Sequence, residues 1–329
     1  MIRRLIPFPL AFILLPVWFG LSSICPSLVT AAEVAILKSA DVDYYDQAVQ
    51  GIRSSLSSRV TVKEYPLGGS VAQGRKIGTA LRASPPDLVV AVGLKAALAV
   101  KLEIVDTPVV FCLVLNPEQH GLPASNMTGI QMRLEPETQL TSLRGVLPKA
   151  THLGLLYDED KSGDFVREAQ RAASRLGVEL LALSVRSREA VTPTLKSLAG
   201  KIDALWVIQD QTVVSDFTIP LLMQWSLDAK IPIFTFSSTL VQQGALGALV
   251  VDAWTVGQQA GRIASGLLRR ETAPGGLLLT PEQPQLALNL RSAELFGLSP
   301  SAEVIRLAGQ LYHGTGPVAG KFSATDLLQ

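Results

Sequence analysis

A carboxylate placed directly after a run of buried-strand residues is well positioned to bind a ligand. In Asp203-Ala-Leu-Trp-Val-Ile-Gln-Asp-Gln-Thr-Val-Val-Ser-Asp216 the apolar run Ala204 to Ile208 stops at Gln209-Asp210-Gln211-Thr212. Apolar side chains then recur at helical spacing through Val213, Phe217, Leu221 and Met223. The pattern predicts a strand, a polar loop and a helix. In an open parallel sheet, ligands bind outside the carboxyl ends of the strands, which is where Asp210 stands. Thr212 would cap the helix, and the free amides of its first turn suit an anion. A carboxylate beside amide donors matches a zwitterion: Asp210 faces an ammonium, amides and hydroxyls face a carboxylate. The same residues also suit a plain loop or helix cap, because Asp and Thr are common at such turns.

Other strand ends carry further polar groups. Val34–Leu37 runs into Lys38-Ser39-Ala40-Asp41, and Leu88–Val92 breaks at Gly93 before Leu94 and Lys95. Thr107–Val114 ends at Leu115-Asn116-Pro117, and His152–Tyr157 ends in Asp158-Glu-Asp-Lys-Ser162. Pro232–Phe236 leads to Ser237-Ser238-Thr239, and Ala248–Val251 to Asp252. The candidate ligand-binding residues are therefore Ser39, Gly93, Leu94, Lys95, Asn116, Asp158, Asp210, Thr212, Ser237 and Asp252. Tyr44 and Trp254 follow strand-end loops and would cover the apolar part of a ligand. Trp206 lies inside a strand and reads as core.

Catalytic patterns are missing. There is no GxGxxG at the first strand–helix turn, and no HExxH, CxxC or GxSxG. Gly69-Ser-Val-Ala-Gln-Gly74-Arg75-Lys76 has the two glycines of a phosphate loop, but Arg75 stands in place of its lysine and Lys76 in place of its hydroxyl. The three histidines, His120, His152 and His313, are scattered over a crossing loop, a strand start and the C-terminal region. Asp158 and Asp160 suit either a cation or a helix cap. With no nucleophile–base pair, binding leads over an α/β hydrolase-type enzyme, and neither cofactor nor metal is expected.

The rest of the chain must hold these loops together. Its 329 residues are 48% hydrophobic and 17% charged, enough for a sizeable core and about two domains. A net charge of +1 argues against a nucleic-acid surface. Residues 1–31 read as a secretory signal peptide: Arg3 and Arg4, an apolar stretch from Leu5 to Leu21, then Val29-Thr-Ala31 as a cleavage site. An uncleaved anchor is the alternative. Removal takes away Arg3, Arg4 and Cys25, changing the net charge to −1 and leaving Cys112 as the single cysteine, in a buried apolar run. From Val34 onward strands and helices alternate, with a crossing region over 116–126, and the rhythm restarts near 135. This is an α/β chain of two doubly wound lobes joined by a hinge. Residues 32–131 and 253–280 form one lobe, 132–252 and 281–300 the other, and 301–329 a C-terminal tail. The strand-end loops of both lobes would line one cleft.

On these residues the chain resembles the periplasmic substrate-binding proteins of ABC importers, in the tryptophan/tyrosine-type branch. The resemblance runs from about Val34 to Leu298. It is carried by Thr107-Pro-Val-Val-Phe111 with Asn116-Pro117 and Gly121-Leu122, by Asn126-Met-Thr-Gly129, and by Leu147-Pro148 with Leu153-Gly-Leu-Leu-Tyr157. Asp203-Ala-Leu205, Asp210-Gln-Thr-Val213, Gly244-Ala-Leu246, Leu288-Asn289 and Ala293 with Gly297-Leu298 complete it. It implies a type I periplasmic-binding fold with three crossings, closing on a small solute, plausibly an amino acid, and docking on an ABC permease of the inner membrane. A receptor that senses its ligand for a membrane signalling partner is the alternative. In relatives the loop at Gln209–Thr212 reads Asp-Asn-Thr-Val, and its Asp is the amino-group partner. Gln211, Lys95 and Asn116 depart from the usual residues.

Overall fold

The computed structural model describes residues 31–314 apart from Pro274. The signal peptide expected over 1–31 lies, but for Ala31, outside the described residues, as does the tail from 315. The first half runs β1 (Glu33–Lys38), α1 (Asp43–Ser55), β2 (Thr61–Pro66), α2 (Val71–Ala83), β3 (Leu88–Val92), α3 (Leu94–Glu103), β4 (Val109–Val114) and β5 (Met127–Gln131). There follow α4 (Pro136–Val146), β6 (His152–Tyr157), α5 (Glu159–Arg175), β7 (Glu179–Ser184), α6 (Val191–Leu198), β8 (Ala204–Trp206), α7 (Thr218–Ala229), β9 (Ile233–Thr235), α8 (Ser238–Gln242) and β10 (Gly247–Val250). The chain ends with α9 (Ala253–Leu268), β11 (Leu277–Leu279), β12 (Gln285–Asn289), α10 (Leu290–Leu295), α11 (Ala302–Leu307) and β13 (Ala308–Tyr312).

Strands β3 and β4 are buried at every residue, so they need cover on both faces, the condition that produces a parallel sheet between helix layers. The first sheet has the order β11-β5-β4-β3-β1-β2, with every pairing parallel. The second has the order β13-β12-β10-β9-β8-β6-β7, and only β10 and β12 pair antiparallel. Each sheet carries an apolar core on either face. Trp206 is core, as expected, and packs on Phe165 with ring centroids 5.9 Å apart. Cys112 is buried without a disulfide, and burial pushes its thiol up to about 12. No helix among the described residues is long and apolar enough to cross a membrane.

The chain passes between the sheets three times, before α4, between β10 and α9, and between β11 and β12. The second passage returns α9 to the first lobe, where it lies on α1 through glycines. A Cβ on Gly257 would overlap the Ala48 carbonyl, and one on Gly261 would come within 2.6 Å of the Ile52 carbonyl oxygen. A Cβ on Gly51 would strike the Trp254 carbonyl. Residues 302–312, set apart by sequence as a tail, contribute α11 and then β13, which pairs parallel with β12.

Two boundaries differ from expectation. The helix expected directly after Thr212 begins at Thr218, and residues 211–217 form turns. Thr218 Oγ1 donates to the Val213 carbonyl, and the Ser215 amide donates to Thr218 Oγ1, so these side chains offer the backbone an alternative to the helix. Conversely, α5 begins at Glu159, inside the segment Asp158–Ser162 that reads as a strand-end loop, because Asp158 caps it by accepting from the Asp160 amide, and Glu159 and Asp160 suit the first turn.

These contacts predict opposite outcomes for two glycines. Gly257→Ala should destabilise by about 1–3 kcal/mol, because the methyl group meets a backbone carbonyl that cannot swing aside. Gly145→Ala in α4 meets nothing within 4 Å and should stabilise by roughly 0.5–1 kcal/mol. Denaturant midpoints with unchanged slopes would check both.

Candidate functional site

The carboxyl ends of the first sheet's strands open on a cavity of about 240 Å³. Ser39 and Ala40 after β1, Leu94 and Lys95 at the start of α3, and Leu115 and Asn116 after β4 form its floor. Tyr45 from α1 and Gln119 and His120 from the 3-10 turn over 117–120 wall it. Gln211 reaches it from the second lobe.

The floor is set by the β3–α3 junction. Gly93 takes φ +85°, a conformation that L side chains rarely adopt, and its amide donates to the Cys112 carbonyl at 2.9 Å. A Cβ here would stand 2.7 Å from both Ser39 Oγ and Tyr45 Oη, so the missing side chain is what lets those hydroxyls meet the helix end. Ser39 Oγ accepts from the Ala96 amide at 2.9 Å. The earlier amides of α3, at Leu94 and Lys95, have no partner among the described residues and sit at the positive end of the helix. Tyr45 is 4% exposed, yet it lines the cavity, and its hydroxyl makes no hydrogen bond among the described residues. Burial raises its pKa, so the phenol stays protonated and free to donate. At β4 the register slips between Cys112 and Val114, with Leu113 at φ +56°. This bulge re-aims the strand end and delivers Leu115 and Asn116 to the cavity.

The second lobe answers with polar groups that satisfy one another. Asp210 is 1% exposed. Its Oδ1 accepts from the amides of Thr212 (2.9 Å) and Val213 (3.2 Å), and its Oδ2 from the amide of Asp158 (2.9 Å). Thr212 Oγ1 donates to Asp158 Oδ2 at 2.6 Å and accepts from Lys161 Nζ at 2.6 Å. The Thr212 hydroxyl is the chief cause of a lowered Asp158 pKa, helped by the Asp160 amide and Lys161. Arg133 donates from Nη2 to the Gln209 carbonyl and lies 4.8 Å from the Phe165 ring centroid. Burial pushes Arg133 down to about 10, still cationic at neutral pH, and the carboxylates of Asp210 and Glu118 oppose the shift. Across the opening, Gln119 Nε2 donates to the Lys161 carbonyl at 3.4 Å.

Of the residues singled out by sequence, Ser39, Leu94, Lys95 and Asn116 line the cavity and Gly93 backs it. Asp158, Asp210 and Thr212 come together in the second lobe, and it is their neighbour Gln211 that faces the cavity. Ser237 caps α8 by accepting from Thr239, and Asp252 caps α9 by accepting from Thr255. Tyr44 donates its hydroxyl to the Val251 carbonyl at a lobe crossing, and burial raises its pKa. Trp254 is 38% exposed. Sequence reasoning missed Tyr45 and His120 as lining residues, whereas Gln119 and Gln211 belong to strand-end loops, Leu115–Gln119 and Gln209–Thr212, expected to line the cleft. Tyr45 falls on the apolar stripe of α1 and so looks like core; its polar tip is the one sign of a second role. No group of three or more His, Cys, Asp or Glu is placed to hold a metal among the described residues.

Residues 33–312 match the sequence profile of the family described as ABC transporter substrate binding protein. A "Tyrosine-binding protein" of Clostridioides difficile is 26% identical over 211 residues, which cover 62% of this chain and 61% of that relative. The ligand-free, open structure of a substrate-binding protein with adhesive properties from Clostridium difficile superimposes with a TM-score of 0.75 at 20% identity, over 86% of this chain and 100% of that one. An ABC domain from Streptococcus pneumonia in complex with L-Trp gives 0.60 at 22% identity, over 85% and 99%. The family match begins in the first strand of one lobe and ends in the last strand of the other, and the chain belongs to the ABC transporter substrate binding proteins.

Proposed function

We propose that this chain is exported, binds a small carboxylate-bearing solute between its two lobes, closes on it, and presents it to the permease of an ABC importer. The observation that carries this reading is the unspent donor set at the β3–α3 junction: two free amides at a helix N-terminus, the Tyr45 hydroxyl and Ser39, all opening on the inter-lobe cavity. A carboxylate fits there because its oxygens supply the acceptors those donors lack. The tyrosine named for the curated relative and the L-Trp held by the pneumococcal domain make amino acids the first solutes to test. A basic, apolar N-terminal segment ending in small residues supports export. Gln211, reaching the cavity from the second lobe, supports closure: a ligand bridging both lobes stabilises the arrangement in which both touch it.

In this reading Asp210 acts on its own loop. Its three amide bonds fix the turn that aims Gln211, and Arg133 lies close enough to balance its charge.

Three measurements follow. Calorimetry against tyrosine, tryptophan and simple carboxylates should give one-to-one binding, about tenfold weaker in Tyr45→Phe, where one donor to a charged acceptor is lost. In Gly93→Ala binding should disappear, because the methyl group meets both hydroxyls; one-to-one binding intact in both variants would remove the junction from the site. Fluorescent labels on α2 and α7 should move closer when ligand is added, and an unchanged distance would exclude closure. Asp210→Ala leaves three buried amides unpaired and should cost about 2–4 kcal/mol in denaturant unfolding; undiminished stability would refute the loop role.

A further inference from the structure

Resting on the receptor reading above, we infer that the solute is a small diacid, with one acidic group at the α3 amides and a second on Lys95, and that no ammonium group of the solute is held by the protein. Lys95 is the formal cation among the cavity-lining residues, and neither Asp nor Glu lines the cavity. Lys95 makes no ion pair or hydrogen bond among the described residues. Several neighbouring carboxylates are already engaged, and Glu118, beside Gln119, is exposed and outside the cavity lining. Asp41 and Asp46 hold Lys38 at 3.0 and 2.5 Å, and Asp252 accepts from the Thr255 amide at 2.8 Å. Asp158 accepts from the Thr212 hydroxyl, and Asp210 spends its oxygens on three amides.

A zwitterion therefore finds an acceptor-hungry end for its carboxylate but no lining carboxylate for its ammonium, only neutral amide oxygens and the Lys95 cation. Like charges 4 Å apart disfavour each other about fivefold even at the dielectric constant of water, and more in a partly closed cleft. A second acid group reverses the sign. Lys95 Nζ lies 3.8 Å from the Cβ position of Gly69, in a turn whose amide donates to the Ser39 carbonyl at 2.9 Å. The lysine head and the α3 amides thus belong to one patch of backbone, separated by no more than the reach of the lysine side chain. The amides of Asn116, Gln119 and Gln211 are neutral and suit the uncharged middle of such a solute.

The test is calorimetry on the purified chain with glutarate and phthalate as diacids, butyrate as a monoacid, and tyrosine and tryptophan as zwitterions, repeated with Lys95→Gln. The diacids should bind about twofold to fivefold more tightly than butyrate or either amino acid, the worth of one exposed ion pair. Lys95→Gln should abolish that advantage, weakening the diacids more than butyrate, with the melting curve unchanged. Tighter binding of tyrosine or tryptophan, unaffected or improved by Lys95→Gln, would overturn the diacid and leave the receptor reading standing. Failure of the folded protein to bind any of the five would overturn both.

Discussion

The backbone at Gly93 must do three things at once. It ends the fully buried strand β3, donates its amide to the neighbouring strand at Cys112, and starts α3 with φ +85°. Only a residue without a side chain meets all three, since a Cβ would occupy the space of Ser39 Oγ and Tyr45 Oη. Once the turn is made, the helix dipole, the free amides and two hydroxyls converge on a single point at the sheet's carboxyl edge. The bulge at Leu113 is the matching adjustment one strand away, where a left-handed residue that is not glycine directs Leu115 and Asn116 to the same place. The site is thus a property of strand ends, and the buried strands behind it hold those ends in register.

The two lobes meet across the cavity with unequal chemistry. The first offers donors without acceptors. In the second, Asp158, Thr212, Lys161 and Asp210 have spent their hydrogen bonds on each other and on the backbone. A fully connected polar cluster is rigid, because breaking any one bond leaves a buried group unpaired. On the proposed reading, the first lobe would hold the solute and the second would present a preformed surface to complete the enclosure. Arg133 belongs to this rigidity: stacked on Phe165 and bonded to the Gln209 carbonyl, it ties the first crossing to the strand end that carries Asp210.

Much of this frame is legible in the sequence, and the reasons differ between elements. The apolar runs of β1, β3, β4 and β6 are unmistakable because burial on both faces leaves no polar alternation to confuse them. Strand β5 is not, since Met127-Thr-Gly-Ile-Gln131 is short and mixed, and its glycine answers to a distant fact: Phe111 of the next strand lies where a Cβ would go. Strands β11 and β13 are edges held by pairing, which local composition does not announce. At the site, residues that directly follow strand ends were found, Ser39, Leu94, Lys95 and Asn116 among them. Tyr45 escaped because a helical stripe treats a tyrosine as an apolar body. Asp210 and Gln211 show the opposite difficulty: both sit in a polar loop, and only the three amides around Asp210 reveal which of them turns inward and which outward.

Under the proposed closure, the three crossings are where bending would disturb the cores least. Each is fastened by side chain–backbone bonds: Arg133 to the Gln209 carbonyl, Tyr44 to the Val251 carbonyl, and Gln259 to the Thr280 carbonyl and the Glu282 amide. Single bonds of this kind contribute about 1 kcal/mol net, whereas each lobe's cores bury dozens of apolar side chains. Bending is therefore cheapest at the crossings, where few apolar contacts are at stake. A single connection would allow the lobes to twist freely. Three connections, one of them returning α9 to pack through glycines on α1, would restrict such twisting. The packing that makes α9 part of the first lobe would thus also limit how that lobe could swing against the second in the proposed closure.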